Sequence, residues 1–178
     1  MQLIPGATMF NSAMDVTIWH GLYLLWLTAG AIDFWLHRAS SIETTSGLKE
    51  SGLHLVQIAI LGAATLLWLS FRASQPLFLI LLALVCLHAI TGYWDTRVAY
   101  PTRAIRPLEQ HVHSILDLAP WIAIGAVYWS MPDTHVATGL ALDLAPIALW
   151  LFAIVPALLL TVLPALIEFR RCIVYRAP

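Results

Sequence analysis

Residues 106–131, RPLEQHVHSILDLAPWIAIGAVYWSM, decide how the chain is read. Over about 109–131 the run is otherwise apolar enough to cross a membrane. Its first turns nevertheless carry Glu109, His111, His113 and Asp117. A span needs about 20 mostly apolar residues, and an ionisable group inside one is costly unless it faces protein or a cavity. Glu109, His113 and Asp117 recur every four residues and so share one face of a helix. The stretch therefore reads as a membrane helix with one polar stripe turned into a bundle.

The rest of the chain supports that reading. Of its 178 residues, 60% are hydrophobic and only 11% charged, against about a quarter charged in a soluble domain. Eight tryptophans supply rings suited to membrane interfaces. Five segments have the length and apolarity of a span: about 16–37, 50–71, 77–98, 109–131 and 143–168. The expected fold is an all-α integral membrane protein, one polytopic domain over 1–178 with five transmembrane helices in a bundle. Residues 1–15 lack the basic stretch of a cleaved signal peptide and read as a short tail. Arg38, Lys49, Arg97, Arg103, Arg106, Arg170, Arg171 and Arg176 fall on one side of this arrangement, and Arg72 alone on the other. Such a bias places the N-terminus outside and the C-terminus in the cytoplasm, as for a bacterial inner-membrane protein.

The ionisable groups then form a pattern. Asp33 and His37 are four apart on the first span, as are Glu50 and His54 on the second. His88 and Asp95 are seven apart on the third. With Glu109, His113 and Asp117 they make nine groups in the cytoplasmic half, each pair on one helical face. A structural salt bridge explains any one pair. Four pairs at one depth exceed what a single four-coordinate zinc takes and suit two metal ions. Imidazole and carboxylate ligands favour iron, with zinc or manganese as alternatives. The ferritin-like Glu-x-x-His motif is absent.

The leading expectation is a metal-dependent membrane enzyme with a di-iron centre that hydroxylates or desaturates a lipid or isoprenoid chain. Its electrons would come from a donor protein, because no flavin or nucleotide motif is visible. Alternatives are a zinc-dependent lipid hydrolase at the same residues, a metal or proton transporter, and a haem-binding assembly subunit. Arg97, Arg103 and Arg106 are expected to clamp an anionic headgroup, since guanidinium matches phosphate. Glu43 reads as a solvated loop charge, and Glu168, beside Arg170 and Arg171, as a helix-end ion pair. His111 and His20 read as interfacial and His135 as a loop residue. A net charge of −1 argues against a nucleic-acid partner, while self-association is compatible with the pattern.

Overall fold

A computed structural model describes residues 13–129, 131 and 139–176. Among these the chain is helical throughout, apart from turns and an isolated bridge between Phe71 and Leu142. Helix α1 spans Ala13–Ala39, α2 Gly47–Ser70, α3 Gln75–Ala99 and α4 Pro107–Trp129. A rod follows, made of α5 (Ile147–Ala157), a π-helical turn (Leu158–Val162) and α6 (Leu163–Arg176). The tail expected over 1–15 falls mostly outside the described residues, as do Asp133 and His135.

Local chemistry sets the helix ends. Ser74 caps α3, its hydroxyl accepting from the Leu77 backbone N–H at 3.4 Å, and Pro76 occupies the first turn, where a missing N–H matters least. Pro107 opens α4 in the same way. The connection from α1 to α2 turns through Ser41 at φ 52° and Gly47 at φ 55°, both left-handed, and carries the 3-10 turn Ile42–Thr44. Ile42 is fully buried and pins that turn to the bundle.

Four helices are long and apolar enough to cross a membrane: Gly47–Ser70, Gln75–Ala99, Pro107–Trp129 and the rod Ile147–Arg176. They give the chain the build of a membrane protein. The expected first span is not among them. At 27 residues α1 is long enough, but it carries His20, Asp33 and His37 among tryptophans, and these lower its apolarity. The last helix also differs from expectation, starting at Ile147 rather than near 143 and running on to Arg176. Outward faces carry large exposed apolar side chains, among them Trp35, Ile90, Trp94 and Leu151, which suits lipid better than water.

The helices close in a ring. α1 packs on α4, α4 on α3, α3 on α2, and the rod returns from α2 to α1. Leu77, Leu81, Val85 and Ile124 form a tight apolar cluster between α3 and α4, against which Ala64 and Leu67 of α2 also pack. Beyond it, Ser70 and Leu69 accept backbone hydrogen bonds from Asp143 and Ala145, which fastens the α2–α3 turn to the segment before the rod. Arg72 and Asp143 lie 3.5 Å apart there but are exposed, a pair worth at most about 1 kcal/mol.

Candidate metal centre

At the other end of the ring, acids and imidazoles from five elements converge. Asp33, Glu50, Asp95, Glu109 and Glu168 are buried, as are His37, His54 and His88, while His113 is partly buried. Buried charges demand partners, so the arrangement of this set is the central structural question.

Glu168 organises it. His37 Nδ1 lies 3.0 Å from one of its carboxylate oxygens and His54 Nδ1 2.8 Å from the other. The two rings stack in parallel, 6° apart in tilt with centroids 4.7 Å apart. A carboxylate accepts, so each Nδ1 carries the hydrogen and each Nε2 keeps its lone pair when the rings are neutral. Both Nε2 atoms are buried and, among the described residues, neither has a hydrogen-bond partner.

Around His37 Nε2 stand three carboxylates: Asp33 at 3.6 Å, Glu50 at 3.7 Å and Glu109 at 3.6 Å. These separations are too long for hydrogen bonds. Ligands about 2.1 Å from a tetrahedral ion stand about 3.4 Å from one another, so these separations are compatible with a shared ion, although the Glu50 and Glu109 oxygens concerned are the ones that the Arg103 guanidinium also contacts. His54 Nε2 faces Asp95 at 3.3 Å, and His113 Nε2 reaches Asp33 at 3.0 Å. Two groups bring possible ligand atoms within 4.8 Å of one another: Asp33, His37, Glu109 and His113 in one, and His37, Glu50 and His54 in the other. This buried His/Asp/Glu cluster could hold a metal ion. His37 belongs to both groups, yet its single free nitrogen serves one ion at a time.

The nine residues singled out from sequence thus separate. Asp33, His37, Glu50, His54, Glu109 and His113 enter the two groups. Asp95 stands beside them through His54. His88 and Asp117 fall outside both and line a cavity next to the cluster.

Arg103 turns inward instead of toward a headgroup. Its guanidinium lies 2.6 Å from Glu50 and 2.5 Å from Glu109, with only 4% of the side chain exposed. Burial alone would lower its pKa, but the hydrogen bonds to Glu50 and Glu109 outweigh that and raise it above the usual arginine range. Removing the guanidinium while leaving both acids is therefore expected to destabilise the protein by about 3–5 kcal/mol. Thermal unfolding of Arg103→Met in detergent checks this, and a melting temperature equal to wild type would contradict it. Arg97 and Arg106 remain exposed, and Arg97 flanks a shallow surface pocket with Tyr100 and Pro101.

Glu168 corrects the sequence reading. It is not a helix-end charge, because α6 continues to Arg176 and the residue is 3% exposed. Its expected neighbour Arg171 instead bonds Glu43 at 2.8 Å at the rim, which leaves Glu43 outside the cluster. Pro156 and Pro164 bracket the π turn, whose extra residue advances helical register by about 100°. Downstream of that shift, α6 directs Glu168 between α1 and α2. His111 is exposed, and the His20 ring packs on Phe152 at 4.0 Å. The chain matches no protein-family model, no curated protein and no solved structure, so the reading of the cluster rests on its own geometry.

Proposed function

We propose that the protein is a membrane metalloenzyme that holds two divalent ions, iron favoured, and oxidises a lipid or isoprenoid chain. One observation carries the reading: two parallel imidazoles, fixed by one carboxylate, aim nitrogens that make no hydrogen bond among the described residues at buried acids. Charge supports the number of ions. Five buried carboxylates against one buried guanidinium leave four negative charges when the imidazoles are neutral, and two divalent ions balance four. The oxygen and nitrogen ligand set, with no cysteine among it, suits iron, manganese or zinc.

In this reading Asp33, His37, Glu109 and His113 hold one ion, and His54 with Asp95 and Glu50 hold the other. His88 and Asp117 face the substrate. Bound iron, reduced by a donor protein, supplies O₂-dependent oxidation. In a hydroxylation one oxygen atom would enter a C–H bond and the other leave as water. In a desaturation two substrate hydrogens would be removed and both oxygens leave as water. Each takes two electrons from the donor and two protons from solvent. The residues of the chain position the substrate, keep bulk water from the ring and hold the ligating imidazoles in one tautomer. The bundle is one membrane domain of five spans, α1 included, with the N-terminus outside and the cluster facing the cytoplasm. The eight-to-one distribution of basic residues supports that topology.

Elemental mass spectrometry on protein purified without chelator is the direct test. About two irons per chain are expected. Two zincs would transfer the reading to a hydrolase, which the four-ligand group Asp33, His37, Glu109 and His113 also suits. No stoichiometric metal after reconstitution would overturn both and leave the cluster as ion bridges between protonated imidazoles and acids.

A further inference from the structure

The cavity beside the cluster, about 310 Å³, is built in two parts. Its floor is polar, formed by Asp33, His54, Asp95 and His113, with Asp117 one turn along α4 from His113 and His88 seven residues, about 10 Å, along α3 from Asp95. Its upper walls come from α1, α2 and the rod; the Gln57 amide, one turn along α2 from His54, and Thr96 add polar groups low in the slot, and beyond them the walls are apolar apart from His88, three hydroxyls and the aromatic nitrogen of Trp26. Each of those hydroxyls is satisfied at home. Tyr23 donates to the Ala153 carbonyl at 2.5 Å, Thr65 to Leu61 at 2.9 Å and Thr161 to Ala157 at 2.7 Å. Beyond Gln57 and His88 the slot thus asks for little hydrogen bonding, whereas the floor holds the buried His54 Nε2, 3.3 Å from Asp95 but without a hydrogen bond, and an Asp95 oxygen with no hydrogen-bond partner among the described residues. A hydrogen bond left unmade in such a place costs about 1–3 kcal/mol, so the occupant is sorted end from end.

The depth is also defined. Tyr23 and Asp33 both line the slot and are ten residues apart on α1, about 15 Å. His54 and Leu66 do so twelve residues apart on α2, about 18 Å. Half of a ~30 Å hydrocarbon core is about the same length. Glycines shape the walls. A Cβ on Gly30 would stand 3.0 Å from the Thr161 methyl, so that wall is already closed tight. Gly62 is an exposed position on the slot lining, eight residues or about 12 Å along α2 from His54, and a Cβ there would meet nothing within 4 Å, so an added side chain enters open space.

We propose that this slot measures the substrate: it takes one unsubstituted hydrocarbon chain, polar end at the His54–Asp95 floor, with a maximum length set at and beyond Gly62. The proposal deepens the lipid-chain reading above by naming the substrate class, and it does not require that a metal be bound. Gly62→Phe fills the open wall and is expected to cut the accepted chain by about a third, from ~18 Å to ~12 Å. Gly125→Phe is the control, because a side chain there also meets open space but lies away from the slot.

The probes are straight-chain primary alcohols of about ten to about eighteen carbons, bracketing one leaflet, with the alkane of each length as the polar-end control. Native mass spectrometry reads occupancy of wild type and both variants, with metal and after chelation. Wild type and Gly125→Phe are expected to retain the long alcohols over the matched alkanes, whereas Gly62→Phe loses the long members by at least tenfold and keeps the short ones. Equal length profiles in wild type and Gly62→Phe would overturn the proposal, as would alkanes held as well as alcohols. Loss of every alcohol by Gly62→Phe with unchanged helicity would overturn the length setting. Metal content is read on the same samples. A length cut-off without stoichiometric metal would sink the enzyme reading and spare the slot, and metal without a cut-off would do the reverse.

Discussion

His37→Ala is expected to lose essentially all bound metal, to below about a tenth of the wild-type content, the largest single effect at the cluster. The reason is topological within the site. His37 is the one residue common to both groups of convergent ligand atoms, and its Nε2 is the atom that Asp33, Glu50 and Glu109 surround. Alanine removes that nitrogen and also one of the two donors to Glu168. The acids that remain repel one another in a low-dielectric pocket, which weakens the fold as well as the site. Elemental analysis and circular dichroism on the same preparation separate the two consequences. Wild-type metal content in a folded His37→Ala protein would remove the cluster as the metal site.

Glu168→Gln produces the second largest effect and a more diagnostic one. The amide keeps size and shape but presents one oxygen and one NH₂ where there were two acceptors. One imidazole keeps its Nδ1 hydrogen. The other must accept at Nδ1, which moves the hydrogen to Nε2 and blocks that nitrogen as a ligand. Metal affinity is expected to fall by about 10–100-fold, the range for loss of a partner that orients a ligating histidine. Competition titration against a chelator measures it. Glu168→Leu is expected to do worse, because it leaves two buried ring N–H groups unmade at about 1–3 kcal/mol each. Wild-type affinity in Glu168→Gln would mean that the carboxylate only neutralises charge and does not set the tautomer.

What could be read in advance follows the range of each interaction along the chain. Long apolar runs announce α2, α3, α4 and the rod, since a span is a local property of about 20 residues. Pairs such as Asp33 with His37 and Glu109 with His113 show themselves because four residues is one helical turn. The partners those pairs adopt were not legible. His113 takes Asp33 from another helix, and His54 takes Asp95. Glu168 was hidden for two reasons. Its partners His37 and His54 lie 131 and 114 residues away in sequence, and a π turn resets the helical face on which it stands. Arg103 was hidden differently, because a basic residue in a connection already has a sufficient explanation in membrane topology. Only the positions of Glu50 and Glu109 show that it has a second role. The aromatic and polar residues that lower the apolarity of α1 include two that build the site, so the helix least like a span is the one that carries Asp33 and His37.

The place of Glu168 in the chain orders the making of the protein. Chains fold from the N-terminus as they are synthesised, at about 5–20 residues per second. His37 and His54 are therefore in the membrane for seconds before the carboxylate that will hold them exists. During that interval the carboxylate that bonds both Nδ1 atoms is missing, and α1 and α2 lack the helix that packs on both. Docking of α6 is the step that fixes both imidazoles, so a nascent or truncated chain, although it already holds Asp33, His37, Glu109 and His113, is expected to bind metal more weakly. A ribosome-stalled chain ending before Leu163 would carry both imidazoles and bind ions only weakly, and release of the full chain would mature the centre in a single late event.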